Sequence, residues 1–105
     1  MKFLLITKSR IGFSVPKPED PQAVFQAAHA WNAAKLKDGT FDCVYGFADG
    51  RGGMSIVNAD SHEHLLSMIR SSPMYYYIDY NIHPLCDLEI LWQLQIDAAR
   101  AHSNK

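Results

Sequence analysis

Charge of one sign, cysteine and long apolar runs are what this chain has least of. Its ten Lys and Arg stand against eleven Asp and Glu, for a formal charge of -1. No basic cluster supplies the electrostatic footprint that nucleic acid demands, so neither DNA nor RNA is an expected partner. The two cysteines, Cys43 and Cys86, have neither CxxC spacing nor the company needed for a disulfide framework, which favours free thiols in a reducing cytoplasm. The early apolar run from Phe3 to Thr7 is broken by Lys8 and Arg10. It is too short for a secretory core or a membrane span, and no membrane association is expected. The chain also lacks a P-loop, a dinucleotide fingerprint and any nucleophilic Ser/His/Asp or Cys/His grouping. His62 and His64 are two apart, so on a helix they point about 200° from each other and cannot readily share a metal.

What is present is apolar and aromatic. Of 105 residues, 48% are hydrophobic, with two Trp, five Phe and five Tyr. That suffices for one domain with a single two-layer core and leaves apolar surface for self-association. Strand signals fall at Lys2 to Lys8, Phe41 to Ala48, Gly53 to Ala59 and Tyr75 to Pro84. Between the first two, "EDPQAVFQAAHAWNAAKLKDG" reads as a helix with Asp20 as N-cap, Pro21 in the first turn and Gly39 past the end. "NADSHEHLLSMIRSSP" reads as a second helix, capped by Asp60 or Ser61 and stopped by Pro73. The Gly-rich "FADGRGGMS" suits an antiparallel hairpin. The order is βαββαβ, an α+β ferredoxin-like arrangement over residues 1–86. A third helix in residues 87–105 is appended, its Leu88, Leu91, Trp92, Leu94, Ala98 and Ala99 too apolar for a solvated tail. Such a sheet has helices on one face only, and two sheets meeting across a two-fold axis cover the other, so a homodimer is expected.

The stretch with most chemistry is "SSPMYYYIDYNIHPLCD", residues 71–87. Read as one alternating strand, it places Tyr76, Ile78, Tyr80 and Ile82 on a core face. Tyr75, Tyr77, Asp79, Asn81 and His83 then share the other, a row too polar to bury without partners.

This stretch, with "NADSHEHL" before it, resembles the muconolactone isomerase family. The matching positions are Asp60, Ser61, His62, Pro73, Tyr75, Tyr77, Asp79, Pro84, Leu85 and Cys86. The resemblance implies a ferredoxin-like fold associated into dimeric α/β barrels and larger rings, with no metal or organic cofactor. It also implies a proton shift along an unsaturated lactone in bacterial breakdown of aromatic compounds. Two positions depart from the family pattern: His29 stands where the family has a glutamate, and Gly46 where it has an arginine. The base has changed type and a cation is missing, which implies a different substrate.

A proton shift needs a base beside an acidic carbon and a donor or cation beside the dienolate. His29 is one candidate base, on a stripe with Phe25, Asn32 and Leu36 that flanks the main apolar arc of Val24, Ala28 and Trp31. Asp79 is the other, though it can equally hold a histidine tautomer or accept from a neighbouring tyrosine. Tyr75, Tyr77 and Asn81 are candidate donors, Tyr45 and Trp31 can stack on a planar small-molecule ligand, and Arg51 in the hairpin is a cation for a carboxylate. Two other readings stand beside this one. One is a cofactor-independent monooxygenase of the same barrel architecture. The other is a non-catalytic ligand-binding or assembly module, whose polar row is only an interface.

Overall fold

A computed structural model describes residues 1–103, in the order β1 (Lys2–Ser9), α1 (Pro21–Lys37), β2 (Phe41–Gly46), β3 (Gly52–Asn58), α2 (His62–Arg70), β4 (Ile78–Leu85) and α3 (Leu88–Ser103). The last two residues of the expected 87–105 extension lie outside the described residues. The four strands form one antiparallel sheet in the order β2-β3-β1-β4. This is the ferredoxin-like βαββαβ topology, with a third helix added.

The helix ends follow from local chemistry. Asp20 accepts a hydrogen bond from the Ala23 amide at 3.1 Å, and Pro21 occupies the first turn, where a missing N–H costs nothing. Ser61 rather than Asp60 caps α2, its hydroxyl accepting from the His64 amide at 3.0 Å. Gly39 follows α1 with φ near +83°, a conformation that favours glycine.

Alternation in β1 decides where the core lies. Phe3 and Leu5 are buried on the helix side, and Leu4 and Ile6 are half-buried on the other. Across the sheet from Phe3 stand Val57 of β3 and Pro84 of β4, and α2 presses Leu65, Met68 and Ile69 onto this end. α1 contributes far less. Every one of its side chains is half-buried or exposed, and Trp31 packs on the core edge-on to Phe41, ring centres 5.5 Å apart.

Two strands depart from simple alternation over the expected spans. Continuous alternation in the second strand would put Phe41 with Cys43 and Tyr45. A β-bulge between Phe41 and Cys43 shifts the phase instead, so Phe41 and Val44 face the helices while Cys43 and Tyr45 pair with Ile56 and Met54 on the far face. The last strand is also shorter than Tyr75 to Pro84. Tyr75, Tyr76 and Tyr77 form a single 3₁₀ turn after the Pro73 break, and β4 starts at Ile78.

The far face of the sheet carries half-buried Leu4, Ile6, Met54 and Ile56. At one end Asp42 receives hydrogen bonds from Lys2 and from the Asn58 amide, which together hold its carboxyl below the usual carboxylate range. Asp87 precedes α3 and caps it, its carboxylate accepting from the Glu89 and Ile90 amides. From Leu88 to His102 its side chains are exposed, and the molecule measures 64 × 31 × 26 Å. Among the described residues, no helix is long and apolar enough to cross a membrane.

Candidate functional site

Three successive rows across the helix-facing side of the sheet show how a cavity arises. The first row is Phe41, Val57, Phe3 and Pro84, and the second Val44, Ser55, Leu5 and Ile82. The third is Gly46, Gly53, Thr7 and Tyr80. Bulky side chains fill the space under the helices in the first row and are gone from half of the third. Glycine within a strand marks a point of close approach, here a bare backbone floor. Thr7 ties it together: its hydroxyl accepts from the Gly53 amide at 3.0 Å and lies 3.2 Å from the Gly53 carbonyl.

Over this floor α1 stands away from the sheet and leaves a cavity of about 510 Å³. That volume holds one small ring with substituents. The α1 wall carries Phe25, His29, Trp31 and Asn32. The opposite wall carries Ser72 and Met74 from the segment after α2, with Ile78 and Tyr80 from β4. Trp31 is pinned by its indole N–H, which donates to Ser71 Oγ at 3.2 Å, while Ser71 donates to the Met68 carbonyl at 2.6 Å. The Asn32 amide donates back to the Ala28 carbonyl at 3.0 Å. At the rim lies Arg51, its guanidinium 5.7 Å from the Phe13 ring centre.

The structure therefore brings together four of the residues singled out from sequence: His29, Trp31, Tyr45 and Arg51 all line this cavity. Tyr45 borders it from edge strand β2, although its position in the alternation turns it to the far face and the residue is 67% exposed. The other four lie outside the lining. Asp79 is exposed and ion-paired to Arg10 Nε at 3.5 Å, and Asn81 follows it on the sheet face turned away from the helices. Tyr75 and Tyr77 belong to the 3₁₀ turn, with Tyr75 beneath the Arg70 guanidinium at 5.6 Å and Tyr77 edge-on to Tyr76. The reason is parity: with β4 starting at Ile78, even-numbered residues face the helices and odd-numbered ones face away.

That parity brings forward a residue the sequence reading had assigned to plain core. Tyr80 stacks on Tyr75, ring centres 6.2 Å apart at 26°, and shares its cavity wall with Ser72. Burial pushes the phenol above its ordinary value, Ser72 draws it partly back, and Tyr75 adds a smaller upward push. A signal existed in the sequence: a phenol between two isoleucines in a row of otherwise apolar residues needs a polar partner.

The raised phenol has a consequence for stability. Its folded pKa lies above the unfolded value, so the contribution is complete below about pH 10 and is lost as pH rises through the folded pKa. The melting temperature of the wild type is expected to fall faster than that of Tyr80→Phe above about pH 10, and to track it at pH 8. Parallel curves across that window would show that Tyr80 ionises as it does in the unfolded chain.

No family model matches the chain, and no curated protein matches it in sequence. Solved structures do match. Muconolactone isomerase superposes with a TM-score of 0.72 at 17% identity, over 83% of this chain and 90% of that one. The 5-chloro-2-hydroxyhydroquinone dehydrochlorinase of Burkholderia phenoliruptrix, in complex with 2,5-dihydroxybenzoquinone, superposes with a TM-score of 0.57 at 17% identity, over 85% and 97%. The chain shares their fold. At this identity the likeness is one of architecture, and the muconolactone isomerase-like fold reaches beyond the strands into most of each chain.

Proposed function

We propose that this chain is a muconolactone isomerase-like, cofactor-free acid–base catalyst that moves a proton on a small unsaturated lactone or a related ring from aromatic breakdown. The observation that carries this reading is His29 on the α1 wall of a ring-sized cavity over a glycine floor. Imidazole exchanges protons near neutral pH and is the commonest general base. Both structural neighbours support the reading, one named for a lactone and the other holding a planar oxygenated ring.

In this reading His29 takes a proton from the carbon beside the lactone carbonyl. The C–H electron pair enters a dienolate, and the imidazolium returns the proton two carbons further along. Trp31 and Phe25 bound the ring's apolar side, Tyr45 sits at the edge, and Arg51 at the rim meets an anionic substituent. Asp79, Asn81, Tyr75 and Tyr77 take no part in contact with the ring. The test uses α-angelica lactone, whose double bond lies one position from conjugation. In D₂O the protein should exchange its acidic hydrogen and produce the conjugated isomer, both followed by proton NMR.

Assembly belongs to the same proposal. A second copy covers the far sheet face, where Leu4, Ile6, Met54 and Ile56 are half-buried, giving a dimeric α/β barrel in the cytoplasm. Residues 1–86 form the catalytic domain and 87–105 an extension that packs on a neighbouring copy. Exposed apolar side chains on α3, among them Leu88 at 60%, Trp92 at 53% and Leu94 at 63%, favour that role. A chain ended after Cys86 should keep a cooperative melt, because the core residues all precede it. Its sedimenting mass should correspond to fewer copies than that of the full chain. Equal copy numbers for both would remove α3 from the assembly.

A further inference from the structure

The cavity has a base on one wall but, so far, nothing to receive the negative charge that the base creates. A dienolate oxygen in an apolar site is costly unless a donor is already aimed at it. Of the polar groups around the floor, most are already engaged. The Thr7 hydroxyl is tied to Gly53, the Asn32 amide donates to its own helix, and the Trp31 indole donates to Ser71. Tyr80 remains.

We infer that Tyr80 is the hydrogen-bond donor to the oxyanion in this cavity and that Ser72, held beside it on the same wall, is a positioning residue. The inference rests on the proton-shift reading above. Ser72 is fixed twice over: its backbone amide donates to the Ile69 carbonyl at 3.1 Å, and its Oγ accepts from the Met74 amide at 3.1 Å. Ser72 stands with Tyr80 on one cavity wall, close enough to favour the ionised phenol. Tyr80 lines the cavity as a half-buried phenol, so its hydroxyl has a hydrogen to give to a bound oxyanion.

Direction is set at both ends. Thr7 pairs with Tyr80 across the strands, and the near-parallel Tyr75 ring restrains the phenol from one side. The titratable and charged groups around it come from four segments: Tyr75 in the 3₁₀ turn, Arg70 of α2 above that ring, His29 of α1 on the opposite wall, and Arg51 of the β2–β3 hairpin at the rim. None of them places a carboxylate beside Tyr80. Burial keeps the phenol protonated at neutral pH, as a donor must be.

The experiment follows exchange of α-angelica lactone in D₂O by wild type, Tyr80→Phe, Ser72→Ala, Ser72→Thr and His29→Ala. Removing one oxyanion donor lowers the rate roughly 100-fold, so Tyr80→Phe should fall that far with KM changed by less than about threefold. Ser72→Ala should lose about tenfold, and the alkaline limb of its pH profile should move upward because the hydroxyl that drew the phenol down is gone. Ser72→Thr keeps the hydroxyl and should restore both rate and limb. Should Tyr80→Phe melt early, the Ser72 pair still decides the matter. A wild-type rate in Tyr80→Phe, or Ser72→Ala and Ser72→Thr alike in limb and rate, overturns the assignment while His29→Ala remains slow. Wild-type exchange no faster than buffer overturns the underlying reading instead.

Discussion

His29→Ala should abolish most of the exchange activity toward α-angelica lactone, with a loss of roughly 100- to 10,000-fold in kcat. The size follows from the role. A general base acts only as the C–H bond breaks, so its removal lowers kcat and leaves ring binding, through Trp31 and Phe25, close to intact. The melting temperature should hardly change, since His29 is exposed on α1 and its Cβ stays in Ala. Asp79→Asn provides the contrast. Asp79 pairs with Arg10 outside the cavity, and an exposed pair of that kind stabilises by about 1 kcal/mol at most. Activity should survive that change within about threefold. If His29→Ala turned over at the wild-type rate while Asp79→Asn did not, the base would belong on the far face of the sheet.

Gly53→Ala should be among the most damaging single methyls in the chain, at about 3 kcal/mol or more. A Cβ at Gly53 would collide with the Tyr45 carbonyl, and one at Gly52 with the Thr7 carbonyl. Backbone atoms cannot swing aside as a side chain can. Either β2 or β1 must move, and with it the Gly53 amide bond to Thr7. For a domain of this size the loss corresponds to a melting point lower by roughly 10–20 °C. Gly46, in the same row, is the control: the nearest atom to a Cβ there is 4.0 Å away. Gly46→Ala should shift the melt by only a few degrees, about 0.5 kcal/mol or less. Equal shifts for the two would mean that the floor has slack between its strands.

Much of this architecture could be read from the chain itself. Capping at Asp20, the breaks at Gly39 and Pro73 and the Gly-rich hairpin are local signals, and local structure obeyed them. The site was less legible because its composition depends on phase. One extra residue at the Asp42 bulge reverses which β2 side chains meet the helices, while one turn of 3₁₀ helix takes Tyr75 and Tyr77 out of β4 and leaves the alternation of its remaining residues as expected. Neither leaves an unambiguous mark in the sequence. His29 could be placed because helical spacing beside Trp31 fixes its flank whatever the sheet does. The face of Tyr80 could be read from alternation but its place at a cavity could not, since that depends on the glycines of the neighbouring strands and on how far α1 stands off the sheet.

The fastening of α1 has its own effect. Trp31 anchors the C-terminal half of that helix to Ser71 and Phe41, while Phe25, a turn and a half earlier, is half open to water. A rod held at one point tilts about it. Under the proposed function, rings of differing girth would be accommodated by lifting the end that carries Phe25, and discrimination among them would fall to the sheet side, where the strands allow no such give.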